Sequence, residues 1–227
     1  MKKNVINLLF VSSFFLTGCS ETKKEDTLNK TNQSNKSEEN INTKTISDVP
    51  KEDYAIISTS YGDMTIQFFE GAAPKHVESF KTHANNGYYN GTIFHRVIPG
   101  FMIQGGDPNT KGENKASYGT GGHAAKYYGI GIEEDSKTWS IPAEFNNIKH
   151  TRGILSMARS NDPNSGGSQF FICAANVPHL NGKYTVFGQV VEGDEIIDQI
   201  INLPRDARDR KSTRLNSSHR CISYAVF

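Results

Sequence analysis

From Tyr54 onward the chain is a series of short apolar runs broken by turn residues, the pattern of half-buried β-strands. Tyr54 to Ser60 and Met64 to Phe69 flank a turn at Tyr61-Gly62-Asp63 and predict a hairpin. Pro74 then opens a helix. Val77, Phe80 and Ala84 share one face at spacings of three and four, and Gly87 stands where a left-handed C-terminal cap is wanted. Further strands are predicted at Thr92 to Ile98, Met102 to Gln104, Ile154 to Ala158, Gln169 to Ala174 and Tyr184 to Val191. A second helix follows, because Ile196, Ile197, Ile200 and Ile201 make a narrow apolar stripe that ends before Pro204. Many short strands, two separate helices and no βαβ rhythm describe a mainly β protein, an antiparallel barrel or sandwich rather than a doubly wound sheet.

The pattern divides the chain into parts. Lys2 and Lys3 precede an apolar run from Val5 to Leu16, too short for the roughly twenty residues a membrane span needs, so residues 1–18 read as a secretory leader. Leu16-Thr17-Gly18-Cys19 resembles a bacterial lipobox, in which Cys19 becomes the lipidated N-terminus; a plain leader with an incidental cysteine is the alternative. Residues 19–50 follow as a polar tether. Only Leu28, Ile41, Ile46 and Val49 are aliphatic between 20 and 50, too little apolar surface to offset the entropy of ordering. A flexible coil of this length reaches roughly 30 Å, which holds residues 51–210 clear of a membrane surface. Residues 112–143, with six glycines, read as a long excursion on the barrel rim. Residues 211–227 break the pattern with an Arg/Ser/Asn-rich stretch and read as foreign to the domain.

Composition narrows the function classes. Lys plus Arg number 25 against 24 for Asp plus Glu, with no basic stripe, so a nucleic-acid partner is not expected. Cys19, Cys173 and Cys221 are too few and too unevenly spaced for a disulfide framework or zinc ribbon, and no two histidines lie three to five apart, so no metal is expected. Gly119-Thr120-Gly121-Gly122 lacks the Gly-Lys-Ser/Thr ending of a phosphate loop. The donors between Asp162 and Gly167 have the wrong spacing for a calcium loop, with Cys173 where a bidentate Glu belongs. Ser168 has no nucleophile elbow around it.

The segment Phe94-His95-Arg96-Val97-Ile98-Pro99-Gly100-Phe101-Met102-Ile103-Gln104-Gly105-Gly106-Asp107 carries more information. Strict alternation would put Arg96 on the same strand face as Phe94 and Ile98, an awkward place for a guanidinium without a purpose or a partner. A snorkelling arginine in a surface ion pair is the bland alternative. With Gly119 to Gly122, Gly153-Ile154-Leu155-Ser156-Met157-Ala158, Gly167-Ser168-Gln169-Phe170-Phe171-Ile172-Cys173 and His179-Leu180-Asn181-Gly182-Lys183-Tyr184-Thr185-Val186-Phe187-Gly188, this segment resembles the cyclophilin family of peptidyl-prolyl cis–trans isomerases. The resemblance runs in order from about Tyr54 to Asp209.

That resemblance implies an eight-stranded antiparallel barrel capped by two helices, and an enzyme without a cofactor. Arg96 matches the family's catalytic arginine. Phe101, Met102, Phe171 and Leu180 would line the socket for the proline ring. Gln104 and the backbone around Ala158, Arg159 and Ser160 would hold peptide amides, with Gln169 and Gly119 in the surrounding groove. His179 stands where members that bind cyclosporin tightly have tryptophan, and Tyr184 where many have histidine, which implies weak drug binding. Arg159-Ser160 replaces a small Asn-Ala pair, and Trp139 in the rim excursion has no family role. The family ends on a further strand, so a foreign tail would leave the barrel with an unpaired edge.

The leading expectation is therefore a monomeric isomerase, lipid-anchored at Cys19 to a bacterial membrane, acting in the cell envelope on prolines of exported or unfolded chains. A proline-docking module without catalysis is the alternative from another class. A solute-binding lipoprotein is a third, disfavoured because it usually needs two lobes.

Overall fold

The computed structural model describes residues 54–203 and 223–226. The leader, Cys19, the tether and residues 204–222 lie outside the described residues.

Eight antiparallel strands form one sheet: β1 (Tyr54–Thr59), β2 (Gly62–Phe68), β3 (Arg96–Ile98), β4 (Met102–Gly105), β5 (Ile154–Met157), β6 (Phe170–Cys173), β7 (Val186–Glu192) and β8 (Ser223–Val226). Their order across the sheet is β3-β4-β6-β5-β7-β2-β1-β8. Register shifts at Thr65/Ile66 and Leu155/Ser156 mark irregularities of the kind that increase local bend and twist. The sheet curls far enough that Ala55 and Ile57 of β1 share one core with Val97 of β3 and Ile103 of β4. Helix α2 (Glu195–Ile201) packs against β2 as well as β3 and β4, strands that lie far apart in the sheet order and are brought together by its curl. Ile196, Ile197, Ile200 and Ile201 are its buried stripe. Among the described residues no ladder joins β3 to β8, so the sheet is curled rather than closed rung by rung.

Two points differ from the sequence expectations. The first is the edge of β1, which is paired. Ser223–Val226, set aside with residues 211–227, pairs with β1 in the register Ala55 to Val226 through Ser58 to Ser223. A free β1 edge presents unpaired backbone donors and acceptors, and this segment satisfies them. The second concerns Thr92 to Phe94, which are not in a strand. Extended pairing begins at Arg96, so alternation cannot be carried back to Phe94. Phe94 instead joins Val97 in the main core, while Arg96 and Ile98 face the opposite side.

Helix α1 (Pro74–Asn85) buries His76, Val77, Ser79, Phe80, His83 and Ala84. Gly87 adopts a φ of 66°, the left-handed conformation that ends the helix. The helix has no side-chain cap of its own at the N-terminus. Glu144 supplies one from a distant loop, accepting from Lys75 N and His76 N at 3.1 Å each and pairing with His76 Nδ1 at 2.6 Å. Phe80 sits at the centre of an aromatic cluster with Phe68, Tyr89, Phe170 and Phe187 at centroid distances of 5.1–5.7 Å. Arg152, just before β5, ties α2 down through Asp194 at 3.1 Å and Asp198 at 3.0 Å.

The rim excursion is anchored at several points. Trp139 packs against the main core, and its indole nitrogen donates to Ile132 O at 3.0 Å. Ala125 N donates to Ser79 Oγ at 2.9 Å, and His83 Nε2 meets His123 O at 2.8 Å, both joining α1 to the end of the glycine-rich stretch. The His83 ring stacks on Tyr88 at 3.9 Å. Burial lowers the pKa of His83 to about 4; the bond to His123 O works in the opposite sense, and the His123 side chain adds to the lowering.

Because the unfolded state would take up this proton near 6.5, stability attributable to neutral His83 is complete above that pH and lost as pH falls toward 4. Urea titrations between pH 7 and 4 should show this loss, up to about 3 kcal/mol, with a shallower pH dependence in His83→Gln.

Candidate active site

The central strands are buried on both faces. In β6, Phe170 and Ile172 enter the main core, whereas Phe171 and Cys173 belong to a second apolar cluster. In β5, Leu155 and Met157 face the main core and Ile154 the second cluster. In β4, Ile103 faces the main core and Met102 the second cluster. A period of two therefore yields two apolar faces here. Val177, Leu180 and Val186 complete the second cluster, with Ile98, Phe101, Ala158 and Tyr184 packed partly buried against it.

Sheet register then sets polar groups beside this cluster. Arg96 is opposite Gln104, Gln104 opposite Phe171, and Phe171 opposite Ser156. One row across four strands thus runs from a cation through an amide to an aromatic ring and a hydroxyl. Arg96 Nη1 donates to Gln104 Oε1 at 3.3 Å, Gln104 Nε2 to Gln169 Oε1 at 2.9 Å, and Gln169 Nε2 to Gly121 O at 2.7 Å. Each amide is oriented by the next, so the guanidinium is held from the rim wall through two glutamines. The guanidinium carbon is 5.9 Å from the Phe101 ring centroid. Burial lowers the Arg96 pKa from its ordinary value and Tyr184 acts in the opposite direction; an arginine nevertheless keeps its charge at neutral pH. Among the described residues it has no carboxylate partner.

Two adjoining cavities open here. The smaller, about 90 Å³, is lined by Arg96, Phe101, Met102, Gln104, Ala158, Arg159, Phe171, Leu180 and Tyr184. The larger, about 270 Å³, has walls of Gly119, Thr120, Gly121, Gly122 and Ser165 with Gln169. Gln104, Ala158 and Arg159 belong to both. His179 lines neither; its exposed ring stacks on Phe101 at a centroid distance of 5.8 Å. The burial behind the smaller cavity pushes the Cys173 thiol up to about 12, leaving it an inert apolar group at neutral pH.

Thr120, Gly121, Gly122, Ser165, Gly167 and Ser168 are lining residues to which the sequence assigns no role in a site. The glycines held a signal for this. A Cβ on Gly121 would stand 2.5 Å from Asp107 Oδ1 and 2.7 Å from Asn109, so the backbone can approach only without a side chain. Asp107 is fully buried and accepts from Asn109 N at 2.8 Å and from Gly119 N. That carboxylate fixes the turn that places the Gly121 carbonyl against Gln169. Gln169→Ala should leave the core intact while freeing Gln104. Exchange of an X-Pro peptide, followed by NMR, should then show kcat/KM lower by about three- to tenfold, the effect of losing a side-chain hydrogen bond.

Residues 54–219 match the sequence model described as cyclophilin type peptidyl-prolyl cis-trans isomerase/CLD. The chain is 39% identical over 160 residues to peptidyl-prolyl cis-trans isomerase-like 1 of Neurospora crassa, covering 70% of this chain and 87% of that protein. It is 42% identical over 160 residues to a probable peptidyl-prolyl cis-trans isomerase of Brucella abortus, covering 69% and 75%. A Cryptosporidium parvum cyclophilin type isomerase, crystallised in the presence of the dipeptide Ala-Pro, superposes with a TM-score of 0.63 at 35% identity, covering 77% of this chain and 98% of that one. With the curled antiparallel sheet, its two helices and the cavity beside Arg96, these matches establish that the chain belongs to the cyclophilin family and is a cyclophilin-type peptidyl-prolyl cis–trans isomerase.

Proposed function

We propose that Arg96 is the catalytic group and that the enzyme works on exported or unfolded chains outside the cytoplasm, held to a bacterial membrane by lipid on Cys19. The observation that carries the first part is a guanidinium without a carboxylate partner among the described residues, oriented by Gln104 at the lip of a cavity walled by Phe101, Met102 and Phe171. An X-Pro amide prefers trans by only about 0.5–1 kcal/mol, yet its rotation barrier is about 18–20 kcal/mol. Rotation breaks amide resonance and returns a lone pair to the prolyl nitrogen. A fixed donor aimed at that atom stabilises the twisted state more than the planar one.

Each site residue then has a place in the reaction. The proline ring enters the apolar socket of Phe101, Met102, Phe171 and Leu180, with His179 as its outer screen and Tyr184 along its side. Gln104 and the backbone from Ala158 to Ser160 hold the flanking amides, and Gly119 and Gln169 bound the groove. The C. parvum isomerase crystallised with Ala-Pro supports an X-Pro ligand for this groove. No acid, base or nucleophile takes part, because no bond other than the partial double bond is altered.

The envelope assignment rests on Leu16-Thr17-Gly18-Cys19 behind an apolar run and on the polar stretch that follows. The domain acts as a monomer on this reading.

Arg96→Ala should reduce cis-to-trans exchange of an X-Pro peptide by about 10²–10³ relative to the unaltered chain, while the peptide still binds. Equal rates would overturn the catalytic role. Binding with no acceleration by either protein would instead describe a docking module. For the anchor, mass spectrometry of the mature protein from bacterial membranes should find Cys19 as a diacylated N-terminal residue; an unmodified Cys19 would exclude it.

A further inference from the structure

The charged side chains that line the two cavities are both cations. Arg96 lines one, Arg159 lines both, and no Asp or Glu lines either. Arg159 is half-buried and spans the cleft. Its Nε and Nη2 donate to Lys183 O at 3.2 and 2.8 Å, and its Nη1 to Ser160 O at 2.8 Å and Asn161 O at 3.3 Å. The guanidinium carbon lies 4.4 Å from the centroid of the Tyr184 ring. Every one of these partners is neutral. Carbonyl oxygens and an aromatic face fix the geometry of the cation and leave its full charge uncompensated.

Among the described residues no carboxylate forms an ion pair with Arg159. Asp107 is buried and accepts from Asn109 N and Gly119 N, and Asp162 Oδ1 accepts from Asn164 N at 2.9 Å. The result is a preorganised positive field in a partly desolvated groove, where opposite charge on a ligand is favoured and like charge penalised.

We propose that Arg159, with Arg96 behind it, selects clients that carry an acidic side chain immediately next to the isomerised proline. This rests on the reading of the smaller cavity as the proline socket. With the ring seated there, the neighbouring residue is about 3.8 Å away from Cα to Cα, and its side chain lies along the Gln104, Ala158 and Arg159 boundary shared by the two cavities. A Glu or Asp at that point meets a guanidinium whose position is already set, so little side-chain entropy opposes the contact.

The test uses blocked tetrapeptides with Glu, Gln or Lys directly before or directly after the proline. NMR exchange gives kcat/KM, and chemical-shift titration gives Kd. Glu should exceed Gln by about three- to tenfold at one of the two flanks in both quantities, with Lys below Gln, and the ratio should shrink toward one at about 0.5 M salt. In Arg159→Gln the Glu/Gln ratio should approach one whatever the absolute rate, and in Arg159→Glu the order should invert to favour Lys. Equal Glu and Gln values at both flanks, or a Glu preference that survives Arg159→Gln, would overturn the proposal. Peptides that bind with the Glu preference but are not accelerated would refute the catalytic reading and leave this selectivity standing.

Discussion

The site depends on strands that bury both of their faces. A strand whose outer face is mostly polar offers little apolar surface for a proline ring. In β4, β5 and β6 the alternation of side chains serves two apolar clusters, one inside the curl and one outside it. The inner cluster, centred on Phe80 and its aromatic neighbours, fixes the sheet. The outer cluster is then a rigid, apolar floor whose position is inherited from the inner one. A shift of one residue in any of these strands would exchange the two faces and remove the site.

On that floor the polar groups are few and each is assigned. Arg96, Gln104 and Gln169 form a relay that ends on a backbone carbonyl, so the orientation of the guanidinium depends on the rim turn held by buried Asp107. The relay uses neutral amides throughout. A carboxylate in place of Gln104 would pair with Arg96 and draw its hydrogen bonds away from a substrate nitrogen. The cation keeps donors for the reaction because its neighbour is a weak competitor for them.

Much of this was legible in the sequence, and the gaps have physical causes. Both helices and most strands followed from apolar periodicity and from Pro74, Gly87 and Pro204. The β3 expectation failed at Thr92 to Phe94 because a run of apolar and β-prone residues does not reveal where pairing starts; Phe94 lies in the core through a coil, not through a pleat. The strand at Ser223–Val226 does not continue the apolar pattern of the domain, while an open edge on β1 accepts a segment for its backbone. Arg96, Phe101, Met102, Gln104, Phe171 and Leu180 line one cavity. The far wall, Thr120 to Gly122 with Ser165, Gly167 and Ser168, is not legible in the sequence, because its contribution is backbone shape and close approach rather than side-chain chemistry. Nothing in a linear string states that Gln169 bonds Gly121.

The borrowed cap of α1 has a consequence for how the chain acquires its structure. The first turn of that helix is completed by Glu144, 68 residues further along the chain from His76, and not by any neighbour in sequence. An isolated segment from Pro74 to Asn85 is short and lacks that partner, so its helical content in a nascent chain is low. The amides of Lys75 and His76 find their carboxylate only when the loop carrying Glu144 is seated on the helix, so the opening turn is held by tertiary structure rather than by local propensity.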